Sequence, residues 1–247
     1  MRTDSERILR HSSPGARAVL LFGSRARGDH RPDSDTDVLQ ILPEVTPSAS
    51  FEEIVLSNYT FPQLKRMASQ GSLFIAHLIA EAVPLRDPEG LLAKLRQAYR
   101  PTSLSIFMHE LDWASRLLTN SAAVYEERAT QFNRLALNLA RTYVYATAQA
   151  QGIVTFSMSA IWKAFEGNWG PSLPRLEQLS WPTYSLVRSW LEARIGKEAI
   201  NPFGSPEALV VNALGQSRLC VALGLRLLHN GASLPAYEAT DLGGQEP

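Results

Sequence analysis

Cysteine is almost absent from this chain. The single Cys220 excludes an internal disulfide and any zinc site built from several thiolates. Its setting, RLCVALGLRLL, is an apolar helical pattern that marks a buried, inert thiol rather than a nucleophile. Net charge is missing too: 24 Lys and Arg balance 24 Asp and Glu. No global field therefore recruits nucleic acid or a membrane surface, and only a local patch could do so. No uninterrupted apolar run reaches the roughly 18 residues of a membrane span. The opening MRTDSERILRHSSPG lacks the apolar stretch of a secretory signal, so the cytoplasm is the expected location. There is no internal repeat.

What is present belongs to a folded protein. Hydrophobic residues make up 45% and charged residues 19% of 247, enough for one large core or two modest ones. Through residue 100, strand-like and helix-like patterns alternate. ERILRH predicts a short helix closed by Pro14-Gly15, and ARAVLLFG and TDVLQILP predict buried strands. FEEIVLSNY predicts a third strand. FPQLKRMASQGSLFIAHLIAEAVPL then reads as helical, interrupted near Gly71 and Ser72.

Beyond Pro101 the strand patterns fade. SLSIFMHELDWASRLLTN, RATQFNRLALNLARTYVYATAQAQG and SPEALVVNALGQSRLCVALGLRLLHNG all carry helical apolar spacing. In the last, Ser205 is the expected N-cap and Asn230-Gly231 the stop. Trp113, Trp162, Trp169, Trp181 and Trp190 all fall here, where core packing is the expectation and stacking on a ring-shaped substrate the alternative. The expected fold class is α+β: an α/β domain over 1–100, a helical bundle over 101–235 and a flexible tail over 236–247.

Between the first two strands lies the stretch that demands chemistry, LLFGSRARGDHRPDSDTDVLQIL, with Asp33, Asp35 and Asp37 alternating. Side chains on a strand alternate faces, so Asp35 and Asp37 point the same way. Two adjacent carboxylates repel, and a fold tolerates that only with compensating charge. Magnesium suits the pair, because it takes oxygen ligands and is usually shared between carboxylates and substrate phosphates. No His or Cys accompanies them, which disfavours zinc. Gly23-Ser24 supplies a turn where backbone N–H groups can cradle an anion, with Arg25 and Arg27 placed to meet phosphate oxygens. Taken singly, Gly-Ser or Asp-x-Asp would be a solvated turn. The combination in its strand context reads as a site for a nucleoside triphosphate and its metal ions.

This stretch resembles the signature of the nucleotidyltransferase superfamily, the DNA polymerase beta-like fold, in which Gly-Ser and a short spacer precede Asp-x-Asp. GSRARG with SDTDV is most similar to the minimal and aminoglycoside (kanamycin) types, whose α/β domain is also followed by a helical one. The motif spans about a tenth of the chain. The resemblance implies that Gly23 and Ser24 hold the triphosphate and that Asp35 and Asp37 ligate two magnesium ions. It also implies that an acceptor hydroxyl attacks the α-phosphate as pyrophosphate leaves.

In one respect the sequence departs from the pattern. Superfamily members usually carry a third carboxylate on the next strand, but Ile54 to Tyr59 contain no acid. Glu53, sharing a face with Val55, Ser57 and Tyr59, is the candidate; Glu52 points the other way. Glu110, Asp112, Glu126 and Glu127 are alternatives for a base, while His109 and the His77–Glu81 pair read as local helix contacts. The leading expectation is magnesium-dependent transfer of AMP from ATP, or of another nucleotide, to a small molecule, a protein or an RNA end. The competing one is a nucleotide-binding regulatory or toxin–antitoxin-type module with weak or lost catalysis, favoured by the uncertain third acid.

Overall fold

The computed structural model describes residues 2–32, 34–157 and 180–229. The chain divides into two compact units. Among the described residues, one comprises the chain through Thr102 together with 154–157, and the other comprises 103–153 and 180–229.

The first unit is built on a five-stranded mixed sheet of order β3-β4-β2-β1-β5. Its strands are β1 (Ala18–Phe22), β2 (Thr36–Leu42), β3 (Ala49–Phe51), β4 (Ile54–Thr60) and β5 (Val83–Arg86). Central β2 runs antiparallel to β1 and parallel to β4. Both of its faces are covered, which is why TDVLQIL reads as a nearly continuous apolar run. On one face Val19, Val38, Ile54 and Leu56 pack with Ile8 of α1 (Arg2–His11). The opposite parity carries Phe22 and Tyr59, against which lies Phe74 of α4 (Leu73–Glu81). Asp37 belongs to this second face, at the end of the sheet where β1 stops and β2 starts.

Helix α3 (Phe61–Ser69) leaves β4 through a capping box. Thr60 Oγ1 accepts from Gln63 N, and Gln63 Oε1 accepts from Thr60 N. Gly71 separates α3 from α4 with a φ of +71°, where an added Cβ would stand 2.4 Å from the Thr102 backbone nitrogen. The helical reading of 61–85 thus resolves into two helices, and its last residues are corrected: Val83–Arg86 form edge strand β5. Pro84 is compatible with that place, since an edge strand tolerates a missing N–H. Helix α5 (Leu91–Ala98) completes the unit.

Among its described residues, the regular structure of the second unit is all helix. It holds α6 (Leu104–Ser115), α7 (Ala122–Glu127), α8 (Ala129–Ala150), α9 (Trp181–Ile195), α10 (Pro206–Ala213) and α11 (Arg218–Leu228). Helix α6 packs on α8 and α11, α9 packs on α8, and α10 packs on α11. Ser205 caps α10, as its sequence predicts, accepting from Ala208 N. The helical run from 205 to 229 breaks after Ala213, where Gly215 takes a positive φ and Ser217 caps a second helix. Trp181 packs on Tyr125 and Tyr184, Trp113 stacks on Phe203, and Trp190 meets Tyr143 edge-on. Trp162, Trp169, Asn230-Gly231 and the tail over 236–247 lie outside the described residues. No described helix is long and apolar enough to cross a membrane.

Candidate active site

Antiparallel pairing sets Phe22 opposite Asp37, so the next residue, Gly23, meets the Asp37 side chain directly. A Cβ on Gly23 would stand 2.5 Å from Asp37 Oδ2, and Gly23 adopts a φ of +74°. Glycine is therefore required twice over here, once for space and once for backbone conformation. Gly23 opens α2 (Gly23–Arg27), a single short turn with no side-chain cap at its start. It ends at Gly28, whose N–H returns to the Ser24 carbonyl.

Two arginines leave this turn in different directions. Arg25 donates through Nε and Nη2 to the Ser34 carbonyl, at 3.2 and 2.8 Å, and so pins the loop that delivers Asp35. Arg27 donates through Nη1 to Glu81 Oε2 at 2.6 Å and through Nε to Asp29. Asp35 is exposed, whereas Asp37 is largely covered. Burial, and then the charge of Asp35, push the Asp37 carboxyl up to about 6, with Arg27 pulling it back. Burial is the main cause, and the charge of nearby Asp35 adds to it. Asp33 lies outside the described residues.

Glu53 sits elsewhere in the electrostatics. It precedes β4, and its backbone carbonyl accepts from Thr36 N. Its carboxylate is taken by Arg7 of α1, with Nη1 donating to Oε1 at 2.5 Å. The Arg7 pair holds Glu53 below the usual carboxylate range. Arg7 also pairs with Glu52, which carries a positive φ. On β4 the residue in register with Asp37 is Val55, followed on the same face by the buried Ser57.

Of the acids named in the helical unit, Glu126 and Glu127 are exposed, whereas Glu110 and Asp112 are committed within it. Glu110 accepts from Ser217 Oγ and Leu219 N at the start of α11. Asp112 pairs with Arg116 and Lys197. His109 Nε2 lies 3.1 Å from the Gln216 carbonyl.

Glu81 is the residue that sequence reasoning undervalued. The spacing shows the His77–Glu81 pair, and the two side chains do stand 2.8 Å apart. The reach to Arg27, 54 residues earlier, is tertiary and leaves no local mark. Burial alone would push the Glu81 carboxyl up, but hydrogen bonds from His77, Arg27 and Phe156 N outweigh it and hold the group below its ordinary range.

Comparison with known proteins adds one finding to this geometry. Residues 5–70 match the family model for a nucleotidyltransferase domain. The match runs from α1 to the end of α3, so it contains the Gly23-Ser24 turn and the Asp35–Asp37 pair. It supports the nucleotidyltransferase superfamily for this stretch, and with it a transferase chemistry that draws on a nucleoside triphosphate. The α+β fold agrees. No curated protein matches the chain.

The nucleotidyltransferase match over residues 5–70 raises the question of a divalent cation. Among the described residues no group of three or more His, Cys, Asp or Glu side chains is placed to hold a metal ion. Two carboxylates do fit a magnesium ion whose other ligands come from substrate phosphates and water. The fit rests on Asp37, whose covered carboxylate is crowded by Asp35 and given its space by the missing Cβ of Gly23.

Proposed function

We propose that the first unit moves a nucleoside monophosphate, AMP from ATP, to a hydroxyl of a small molecule, a protein or an RNA end. The observation that carries this reading is the Asp37 carboxylate, crowded by Asp35 and seated against a glycine turn. Asp35 and Asp37 would hold magnesium. When bound, the metal supplies positive charge at the α-phosphate and the departing oxygen.

The chain's own residues do the positioning. Ser24 donates its hydroxyl to a phosphate oxygen beside the uncapped first turn of α2. Arg25 keeps Asp35 in place through Ser34, and Arg27 opposes negative charge near Asp37. The acceptor oxygen bonds to the α-phosphorus, the bond to the bridging oxygen breaks, and pyrophosphate carries away the electron pair. The hydroxyl proton passes to a base or to solvent. Glu53 can take it only after release from Arg7. Catalysis of this kind rests on alignment and charge rather than on a covalent enzyme intermediate.

Replacing Ser24 with Ala removes one hydrogen bond to a charged phosphate oxygen, worth roughly 1.5 kcal/mol or more. The expected outcome is an apparent Michaelis constant for the nucleotide raised about tenfold or more, with turnover nearly kept. Steady-state kinetics across nucleotide concentration measures it, and an unchanged constant would take Ser24 out of the site.

A second reading has a specific observation behind it. Val55 and Ser57 stand on β4 where a third acid would face Asp37, which favours a module that binds nucleotide and transfers it poorly. Incubation with magnesium, labelled ATP and a cell extract separates the two. Labelled product that disappears in the Asp35→Ala/Asp37→Ala protein supports the enzyme. Metal-dependent ATP binding without transfer supports the module.

A further inference from the structure

The geometry points to Glu81 as a positioning residue for nucleotide binding, acting by fixing the orientation of Arg27. The inference deepens the proposed function and rests on it. Glu81 lies outside the matched 5–70 stretch, at the last position of α4, with its side chain only 7% exposed.

A buried carboxylate needs partners, and Glu81 has three. Arg27 Nη1 donates to Oε2 at 2.6 Å, His77 Nε2 stands 2.8 Å from the same oxygen, and Phe156 N donates to Oε1 at 2.9 Å. Asp29 takes the Nε edge of the same guanidinium, at 3.1 Å to Oδ1. Arg27 is thus gripped at Nε and at Nη1. Among the described residues Nη2 makes no hydrogen bond, which leaves that edge for an incoming oxygen. The guanidinium is a planar fork, so fixing two of its corners fixes the third.

Both gripping acids are themselves held by one short segment. Phe156 N binds Glu81, and the Phe156 ring stacks on His77 with centroids 4.8 Å apart. The neighbouring Ser157 donates its hydroxyl to Asp29 Oδ2 at 2.7 Å. A pair kept only for stability gains little by such an arrangement, since buried ion pairs seldom stabilise more than apolar packing of equal volume. Here the pair fixes a cation four residues from Gly23, with its field on Asp37. A phosphate oxygen arriving beside Ser24 meets an arginine whose orientation has already been set, and less conformational freedom is lost on binding.

The test is a mutant cycle on binding, which needs no acceptor. Calorimetry measures the affinity of the magnesium complex of a non-hydrolysable ATP analogue for wild type, Glu81→Gln, Arg27→Gln and the double variant. Glu81→Gln keeps the shape of the side chain it replaces, and the double variant removes both charges of the pair, so it leaves no lone buried ion at Glu81. Circular dichroism of each variant reports folding. Expected is a loss of roughly tenfold for Glu81→Gln, as for one charge-assisted contact, and almost no further loss from it when Arg27 is already Gln. Wild-type affinity in Glu81→Gln, or an equal loss in both backgrounds, overturns the role through Arg27. A lowered melting temperature with unchanged affinity makes Glu81 purely structural. If wild type itself binds no nucleotide, the proposed function fails and this inference with it.

Discussion

Asp37→Asn is expected to abolish nucleotide transfer, by a factor of about a thousand or more, and yet to yield a more stable protein in metal-free buffer above pH 6. The two effects have one cause. In the folded protein burial and Asp35 push the Asp37 carboxyl up to about 6. Its unfolded value is near 4. The folded state therefore binds the proton more tightly. The wild type holds its full stability below about pH 4, loses it progressively as pH rises towards 6, and stays at the lower level above. The upper limit of the loss is about 3 kcal/mol, from two pH units at 1.36 kcal/mol each. Asparagine has no charge to bury and escapes this loss. Thermal unfolding of both proteins from pH 4 to 8 should give curves that separate between 4 and 6 and run parallel beyond. Magnesium added above pH 6 should raise the wild-type midpoint and leave Asp37→Asn unmoved. Curves that never separate would contradict the crowded-acid account, and full turnover in the variant would contradict the catalytic one.

Gly23→Ala is the second large effect. The new Cβ would sit 2.5 Å from Asp37 Oδ2 and 3.3 Å from Cγ, at a φ of +74°. Holding alanine in that conformation costs about 1–2 kcal/mol. The contact falls on a rotatable carboxylate rather than on backbone, so the side chain moves and the sheet survives. We expect a folded protein destabilised by roughly 1–3 kcal/mol, with kcat/KM for the nucleotide down at least a hundredfold. Denaturant unfolding and steady-state kinetics on the same preparation separate the two losses. A destabilised variant with undiminished kcat/KM would reduce Gly23 to a turn residue.

How much of this was legible in the sequence depends on how local each cause is. The apolar runs of β1 and β2, the Gly-Ser turn and the alternating acids are local, and they support an α+β reading with a candidate site between two strands. The Ser205 cap is local as well. Strand β5 was hidden because VPLR continues an apolar helical stretch, and only pairing with β1 makes it extended. The division of α10 from α11 did carry a signal, Gly215 followed by Ser217, but it was masked by the apolar spacing on either side. Strand parity would place Glu53 on one face with Val55, but Glu53 lies in the turn before β4, and the Arg7 guanidinium decides where its carboxylate goes. Glu81 shows the same limit: spacing finds its helix neighbour and misses the cation that comes from 54 residues earlier in the chain.

The segment at Phe156 and Ser157 has a consequence for biosynthesis. A ribosome delivers Arg27, Asp29 and Glu81 early, but the two residues that brace those acids emerge only after all of α6, α7 and α8. The corner around Arg27 is therefore finished late, when more than half the polypeptide has been made. A fragment cut at the apparent border after Thr102 would lack part of its own wall.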